Sequence, residues 1–192
     1  GRGNAVTAGD IGYRYVVQTL QDRGASDVLF DMNSRYDVPG YGYQIAMGET
    51  ALAESWQSRD YLSHNHCMLG HLYSWLFSGI GGISQESGST AYKRIVIDPQ
   101  IVGDLRDARV SFRSPYGLIR SEWKDAPDEF VQTVEIPANA TARICLPATD
   151  PAKITENGKP VSGRKDITVK NGADGRIELH VGSGVYRIAV EK

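Results

Sequence analysis

Residues 48–82, GETALAESWQSRDYLSHNHCMLGHLYSWLFSGIGG, hold both the densest polar cluster and the most apolar helical pattern of the chain. Two carboxylates (Glu49, Glu54), Trp56, the Arg59-Asp60 pair and the run from Ser63 to His66 fall within eighteen residues. Behind them, Met68, Leu72, Trp75, Leu76 and Gly79 recur at helical spacing, while Leu69, Tyr73 and Phe77 cover much of the remaining surface. This predicts a helix that starts near Ser63 or Asn65, either able to cap free N–H groups, and stops at Gly79 or Gly81-Gly82. Such a helix is buried nearly all round and needs a larger helical assembly about it. A polar cluster at its mouth is where a site would sit.

Upstream, residues 9–23 read as an amphipathic helix with Ile11, Tyr15, Val16, Thr19 and Leu20 near one face, stopped by Gly24. Residues 25–34 read as a second helix, with Val28, Leu29 and Met32 inward and Ser26 as its cap. The chain then breaks at Pro39-Gly40-Tyr41-Gly42 and resumes a short helix over Tyr43 to Met47 before Gly48. Its aromatic and glycine content suits a loop beside a ligand or a plain connection between helices.

Downstream of Ile83 the period changes. SQESGST reads as a polar linker, after which YKRIVID, ARVSFRS, GLIRSEWKD, EFVQTVEI, TARICLP, KITENG, DITVK, RIELHV and GVYRIAVE alternate at period two. Turn chemistry at Ser114-Pro115-Tyr116-Gly117, Asn157-Gly158, Asn171-Gly172 and Asp174-Gly175 separates them. Short strands at this spacing predict an antiparallel β-sandwich. The fold class is therefore mixed α and β with the two segregated: a helical division over 1–82 and a β-sandwich over 83–192.

Composition narrows the partners. Of 192 residues, 41% are apolar and 23% charged, and the net charge of −2 offers no basic surface for nucleic acid or an anionic membrane. No apolar run approaches the roughly 20 residues a spanning helix needs. The first residues show no basic-then-apolar leader, which leaves the compartment open: secreted or periplasmic with an upstream signal peptide, otherwise cytoplasmic. Cys67 and Cys145 read as buried free thiols.

The residue types in the cluster admit several chemistries. Paired carboxylates serve glycoside hydrolysis, one protonating the leaving oxygen and the other activating water. Glu54, with Trp56 beside it as a flat apolar face for a sugar ring, could be one of such a pair, or a glutamate solvating a helix end. His64, His66, Cys67 and His71 include ligand types for zinc, but zinc sites more usually draw on separate elements or two close pairs. No metal and no cofactor is expected. A Cys67 nucleophile would need exposure, against the buried helix predicted around it.

Seven marks in order make the chain resemble the C-terminal portion of the bacterial α-L-rhamnosidases of glycoside hydrolase family 78. They are Gly9-Asp10-Ile11-Gly12, Pro39-Gly40-Tyr41-Gly42-Tyr43, Glu54-Ser55-Trp56, Ser63-His64-Asn65-His66, Tyr92-Lys93-Arg94-Ile95, Ser114-Pro115-Tyr116-Gly117 with Trp123, and Ile136-Pro137-Ala138-Asn139 before Leu146-Pro147. The resemblance implies the last helices of an (α/α)6 barrel followed by a C-terminal β-sandwich, and removal of terminal α-L-rhamnosyl groups with inversion. It places Glu54 at the general base, His66 at a histidine bonded to sugar hydroxyls, Tyr41 at an aromatic position of the rhamnose pocket and Trp56 at a family tryptophan. The residue before the base, Trp in many relatives, is Ala53 here. The resemblance also assigns the general acid to the first half of the barrel, so this chain by itself is expected to be inactive. Its expected partner is a rhamnose-containing glycoside or polysaccharide, and the apolar helices are expected either to self-associate through residues 1–80 or to stay partly disordered beside a folded sandwich. Two other readings stay open: a non-catalytic carbohydrate-binding or structural sandwich, and a helical-barrel glycosidase acting on another sugar.

Overall fold

A computed structural model describes residues 3–192; residues 1 and 2, the start of the expected helical division, lie outside the described residues. Helix α1 (Asp10–Asp22) starts with a carboxylate in its first turn, which suits the positive end of the helix dipole. It closes with Gly24 in the left-handed region (φ +68°) and paired bonds, Gly24 N–H to Gln21 and Ala25 N–H to Leu20. Its buried residues are Tyr13 and Val17, not the predicted face: Ile11 is 72% and Tyr15 61% exposed. Tyr13 sets the rotation, because its ring packs on Tyr41 and Trp56 and its hydroxyl donates to Asn33. Helix α2 (Ser26–Ser34) turns Leu29 and Met32 inward as predicted. Ser26 does not cap it. The N-cap is Ala25, and the buried Ser26 hydroxyl instead accepts the Trp75 indole N–H at 2.7 Å.

Helix α3 (Tyr41–Ala46) follows Gly40 and ends before Gly48, whose φ of +85° only glycine adopts freely. The long helix predicted from Ser63 or Asn65 starts later and in pieces: a 3₁₀ turn (Cys67–Leu69), α4 (Leu72–Trp75) and a π-helical turn (Leu76–Ile80). The delay has a backbone cause. Glu54 N–H donates to the Ser63 carbonyl and His66 N–H to the Leu52 carbonyl, both at 2.7 Å, so residues 63–66 are committed to strand-like pairing with 52–54. Nor is the segment buried all round. Leu69, Trp75, Gly79 and Ile80 are buried, while Met68, Tyr73, Leu76 and Cys67 are exposed, since the short turns do not share one face.

The chain divides into two compact units, residues 1–76 with 102–104, and residues 77–101 with 105–192. The second unit contains β1 (Ile83–Gln85), β2 (Arg94–Ile97), β3 (Asp107–Ser114), β4 (Gly117–Asp125), β5 (Glu129–Ile136) and β6 (Thr141–Leu146). It continues with β7 (Ile154–Glu156), β8 (Lys159–Pro160), β9 (Ile167–Asn171), β10 (Ile177–Val181) and β11 (Gly184–Glu191). One sheet has the order β1-β2-β6-β10-β9, the other β3-β4-β5-β11-β7-β8. All neighbours are antiparallel except β2 and β6, which pair parallel from Arg94↔Thr141 to Ile97↔Ile144. Every period-two run is a strand. The structure adds two strands outside those runs, β8 and β1, the latter drawing Ser84 and Gln85 from the predicted linker.

Alternation builds the sandwich core. Phe130, Gln132, Val134 and Ile136 of β5 point inward beside Tyr186, Ile188 and Val190 of β11, and Ile177, Leu179 and Val181 line the other sheet. Trp123 is 2% exposed, and its indole N–H donates to the Ile80 carbonyl at 2.8 Å. With Tyr186 also buried, both of these sandwich aromatics belong to the core. The β7–β8 hairpin turns on Asn157-Gly158, both at positive φ. Gly82 sits at φ +74°, accepts the Asp98 N–H through its carbonyl, and lies where a Cβ would overlap the Asp98–Pro99 backbone. Gly82→Ala is therefore expected to cost more than about 2 kcal/mol, read as a fall in the urea midpoint of the sheet signal.

Candidate functional site

Three aromatic side chains hold the site together. The Trp56 indole donates to the Ala8 carbonyl at 2.7 Å, and its ring meets Tyr13 and Tyr41 edge-on, at 4.8 Å and 5.2 Å between centroids. Tyr13 is itself fixed by its 2.8 Å bond to Asn33, and the Asn33 amide donates to the Leu29 carbonyl. From α3, the buried Gln44 amide donates to the Ser55 carbonyl at 3.0 Å. Residues 55 and 56 are thus pinned from two sides. Burial raises the Tyr41 hydroxyl to about 12, with the nearby Leu72 backbone pulling it partway back; the oxygen is enclosed and has no partner at hydrogen-bond geometry.

Glu54 is the exposed member of this segment. Its carboxylate accepts the Ser63 N–H at 3.1 Å while its own N–H donates to the Ser63 carbonyl, which closes the 54–63 loop on itself. Glu54 and Trp56 line a cleft of about 350 Å³ together with Asp10, Leu62 and Leu69. His66 is anchored by its backbone N–H on Leu52, and its Nε2, enclosed and without a hydrogen bond, stands 3.9 Å from Asp10 Oδ2. Of the predicted residues, the structure brings Glu54 and Trp56 into one cleft; His66 does not line it but stands 3.9 Å from Asp10, which does. Tyr41 lies against the Trp56 ring and is not part of the cleft lining.

Asp10 is the residue that sequence reasoning missed. It entered only as part of a helix start, although a carboxylate in the first helical turn was visible in the sequence. Glu49, the other carboxylate of the cluster, is occupied: its Oε2 lies 2.8 Å from His64 Nδ1, and its side chain is 12% exposed. Among the described residues, no three His, Cys, Asp or Glu side chains are grouped to hold a metal ion. None of the described helices is long and apolar enough to cross a membrane. Cys67 is exposed on its short turn, against the expectation of burial. Cys145 is buried as expected, and that burial pushes its thiol up to about 12.

Comparison with known proteins covers both parts of the chain. Residues 1–80 match the family described as the bacterial alpha-L-rhamnosidase 6 hairpin glycosidase domain, and residues 82–160 the bacterial alpha-L-rhamnosidase C-terminal domain. An alpha-L-rhamnosidase of Streptomyces avermitilis is 28% identical over 96% of this chain and 18% of its own length. One from Formosa agariphila is 26% identical over 100% of this chain and 20% of its own. Among solved structures, the Streptomyces avermitilis alpha-L-rhamnosidase complexed with L-rhamnose superposes with a TM-score of 0.86 over 98% of this chain at 28% identity, covering 18% of that chain. The alpha-L-rhamnosidase from Dictyoglumus thermophilum gives 0.85 over 98% of this chain at 26% identity, covering 21% of that chain. The chain thus spans about a fifth of the length of the relatives it matches.

Two expectations follow from the site geometry. The hydrogen bond that His64 donates to the Glu49 carboxylate favours the charged imidazole and raises His64 above its ordinary 6.5. Its contribution is complete below the ordinary histidine range and is lost as pH rises through the elevated value. The His64 ring-proton titration is expected to have its midpoint above 6.5 and to move down in Glu49→Gln. Tyr41→Phe, which deletes an enclosed hydroxyl with no partner, is expected to leave stability unchanged or raise it by up to about 1 kcal/mol in thermal unfolding.

Proposed function

Because the chain belongs to the bacterial α-L-rhamnosidases, we propose that it supplies the general base of an inverting glycosidase that removes terminal α-L-rhamnosyl groups. The observation that carries this reading is the placement of Glu54. It is an exposed carboxylate, lines the cleft, and has one oxygen steadied by the Ser63 N–H. Inversion needs a carboxylate that takes a proton from water on the face of the sugar opposite the leaving group, roughly 6.5–9.5 Å from the acid. Glu54 is the base in this proposal. The acid comes from residues outside this chain, in the remaining length that the relatives carry.

The neighbours of Glu54 then have distinct tasks. The Trp56 ring is an apolar wall, and since its N–H is spent on Ala8 it offers the sugar a surface and no hydrogen bond. His66 provides the polar contact to sugar hydroxyls. Tyr41, which does not line the cleft, acts through its ring by backing the Trp56 wall. The substrate is a rhamnose-containing glycoside. Ala53 is 1% exposed and so lies beneath the cleft segment, not on its surface.

The reading is tested by release of the chromophore from an aryl α-L-rhamnoside by the full-length enzyme and its Glu54→Gln variant. Loss of a general base is expected to lower kcat by about 10²–10⁴-fold, with rhamnose affinity nearly unchanged. Turnover retained in Glu54→Gln would remove Glu54 from the role.

A further inference from the structure

We propose that Asp10 is a positioning residue for His66: its carboxylate takes the Nε2–H of the imidazole and leaves Nδ1 to accept from a hydroxyl of the bound sugar. The inference rests on the proposed contact between His66 and the sugar, and it adds a residue which that contact needs. A neutral imidazole has one N–H and one bare nitrogen, and the bond made by one nitrogen decides which is which. His66 Nε2 is enclosed and makes no hydrogen bond, and Asp10 Oδ2 is 3.9 Å away. That separation is too long for a hydrogen bond, and catalytic hydrogen bonds often reach bonding distance only in the complex with substrate.

The two backbones are held for this meeting. Asp10 is the first residue of α1, and its Oδ1 accepts the Ile11 N–H at 2.8 Å, which fixes the carboxylate plane and leaves Oδ2 for the histidine. Two residues earlier, the Ala8 carbonyl is tied to the Trp56 indole. On the other side, the His66 N–H is tied to the Leu52 carbonyl. Asp10 also lines the cleft with Glu54 and Trp56, so the histidine is oriented from within the site.

Asp10→Asn is the decisive variant because its Oδ1 can still accept from Ile11 while its amide presents N–H, not oxygen, to Nε2. Two readouts are taken. In the labelled chain, ring-nitrogen NMR reports the His66 tautomer, with the signal assigned by its loss in His66→Gln. In the full-length enzyme, kcat and KM are measured on an aryl α-L-rhamnoside, with Asp10→Glu as the conservative variant.

The expected result is an Nε2–H tautomer in the wild type that switches to Nδ1–H in Asp10→Asn. KM is expected to rise about tenfold, the loss of one hydrogen bond to the sugar, with a smaller change in kcat and partial recovery in Asp10→Glu. A His66 ring spectrum and KM that are unchanged in Asp10→Asn overturn the inference and leave Glu54 as base. A tautomer switch without a change in KM also overturns it, since Asp10 would then hold His66 for folding alone. Full turnover in Glu54→Gln overturns the base assignment instead, and the KM of Asp10→Asn still decides the role of Asp10.

Discussion

The bond from the Trp56 indole to the Ala8 carbonyl joins residues 48 apart, and the helical unit's chemistry depends on it. On one side it fixes the backbone two residues before Asp10; on the other it fixes the backbone two residues after Glu54. Packing against Tyr13 and Tyr41 makes the anchor stiff, because aromatic edges fill the space that a lone hydrogen bond would leave free to pivot. The short ladder between 52–54 and 63–66 then carries His66 to the same place. Residues far apart in the chain thus meet through one donor, three rings and two backbone bonds. None of these six features is itself chemically reactive in the proposed mechanism.

That ladder also explains why one stretch contains both a site and a helix. Backbone groups at 63–66 that pair with 52–54 cannot enter a helical hydrogen-bond pattern, so the apolar run behind them begins its turns only at Cys67. In this segment Ala53 is buried and Glu54, at a bend, is exposed. Within the second unit the constraint is of another kind: Gly82 and the Trp123 bond to Ile80 set how the chain enters its first strand.

The sandwich was legible because its signal is local. Period-two alternation and turn residues such as Asn157-Gly158 act over a few neighbours, and all nine runs became strands. The exceptions were short: β8 has two residues, and β1 is the end of an apolar run followed by polar residues. The helical faces were less legible because they depend on distant partners. Nothing local distinguishes Tyr13, which is buried, from Tyr15, which is exposed; the difference is made by Tyr41, Trp56 and Asn33. Ser26 failed as a cap for the same reason, since a distant indole claims its hydroxyl. Resemblance pointed to Glu54, Trp56, His66 and Tyr41, and the structure assembles three of them at or beside the cleft. Asp10 is not legible as a site residue in the sequence, because the role proposed for it requires the fold to bring α1 to His66.

The choice between the two glutamates shows what the structure adds to the motif. By residue type alone, Glu49 and Glu54 are both acidic residues of one polar cluster, and only the resemblance separates them. In the fold, Glu49 is largely enclosed and its carboxylate holds His64, a partner that neutralises it and competes for its lone pairs. Glu54 keeps one oxygen on a backbone N–H and presents itself to the cleft. A base that must accept a proton from water needs a lone pair that water can reach, and an ion-paired carboxylate must first give up its partner. The fold therefore favours Glu54 by occupancy and exposure, with Ser63 on one glutamate and His64 on the other.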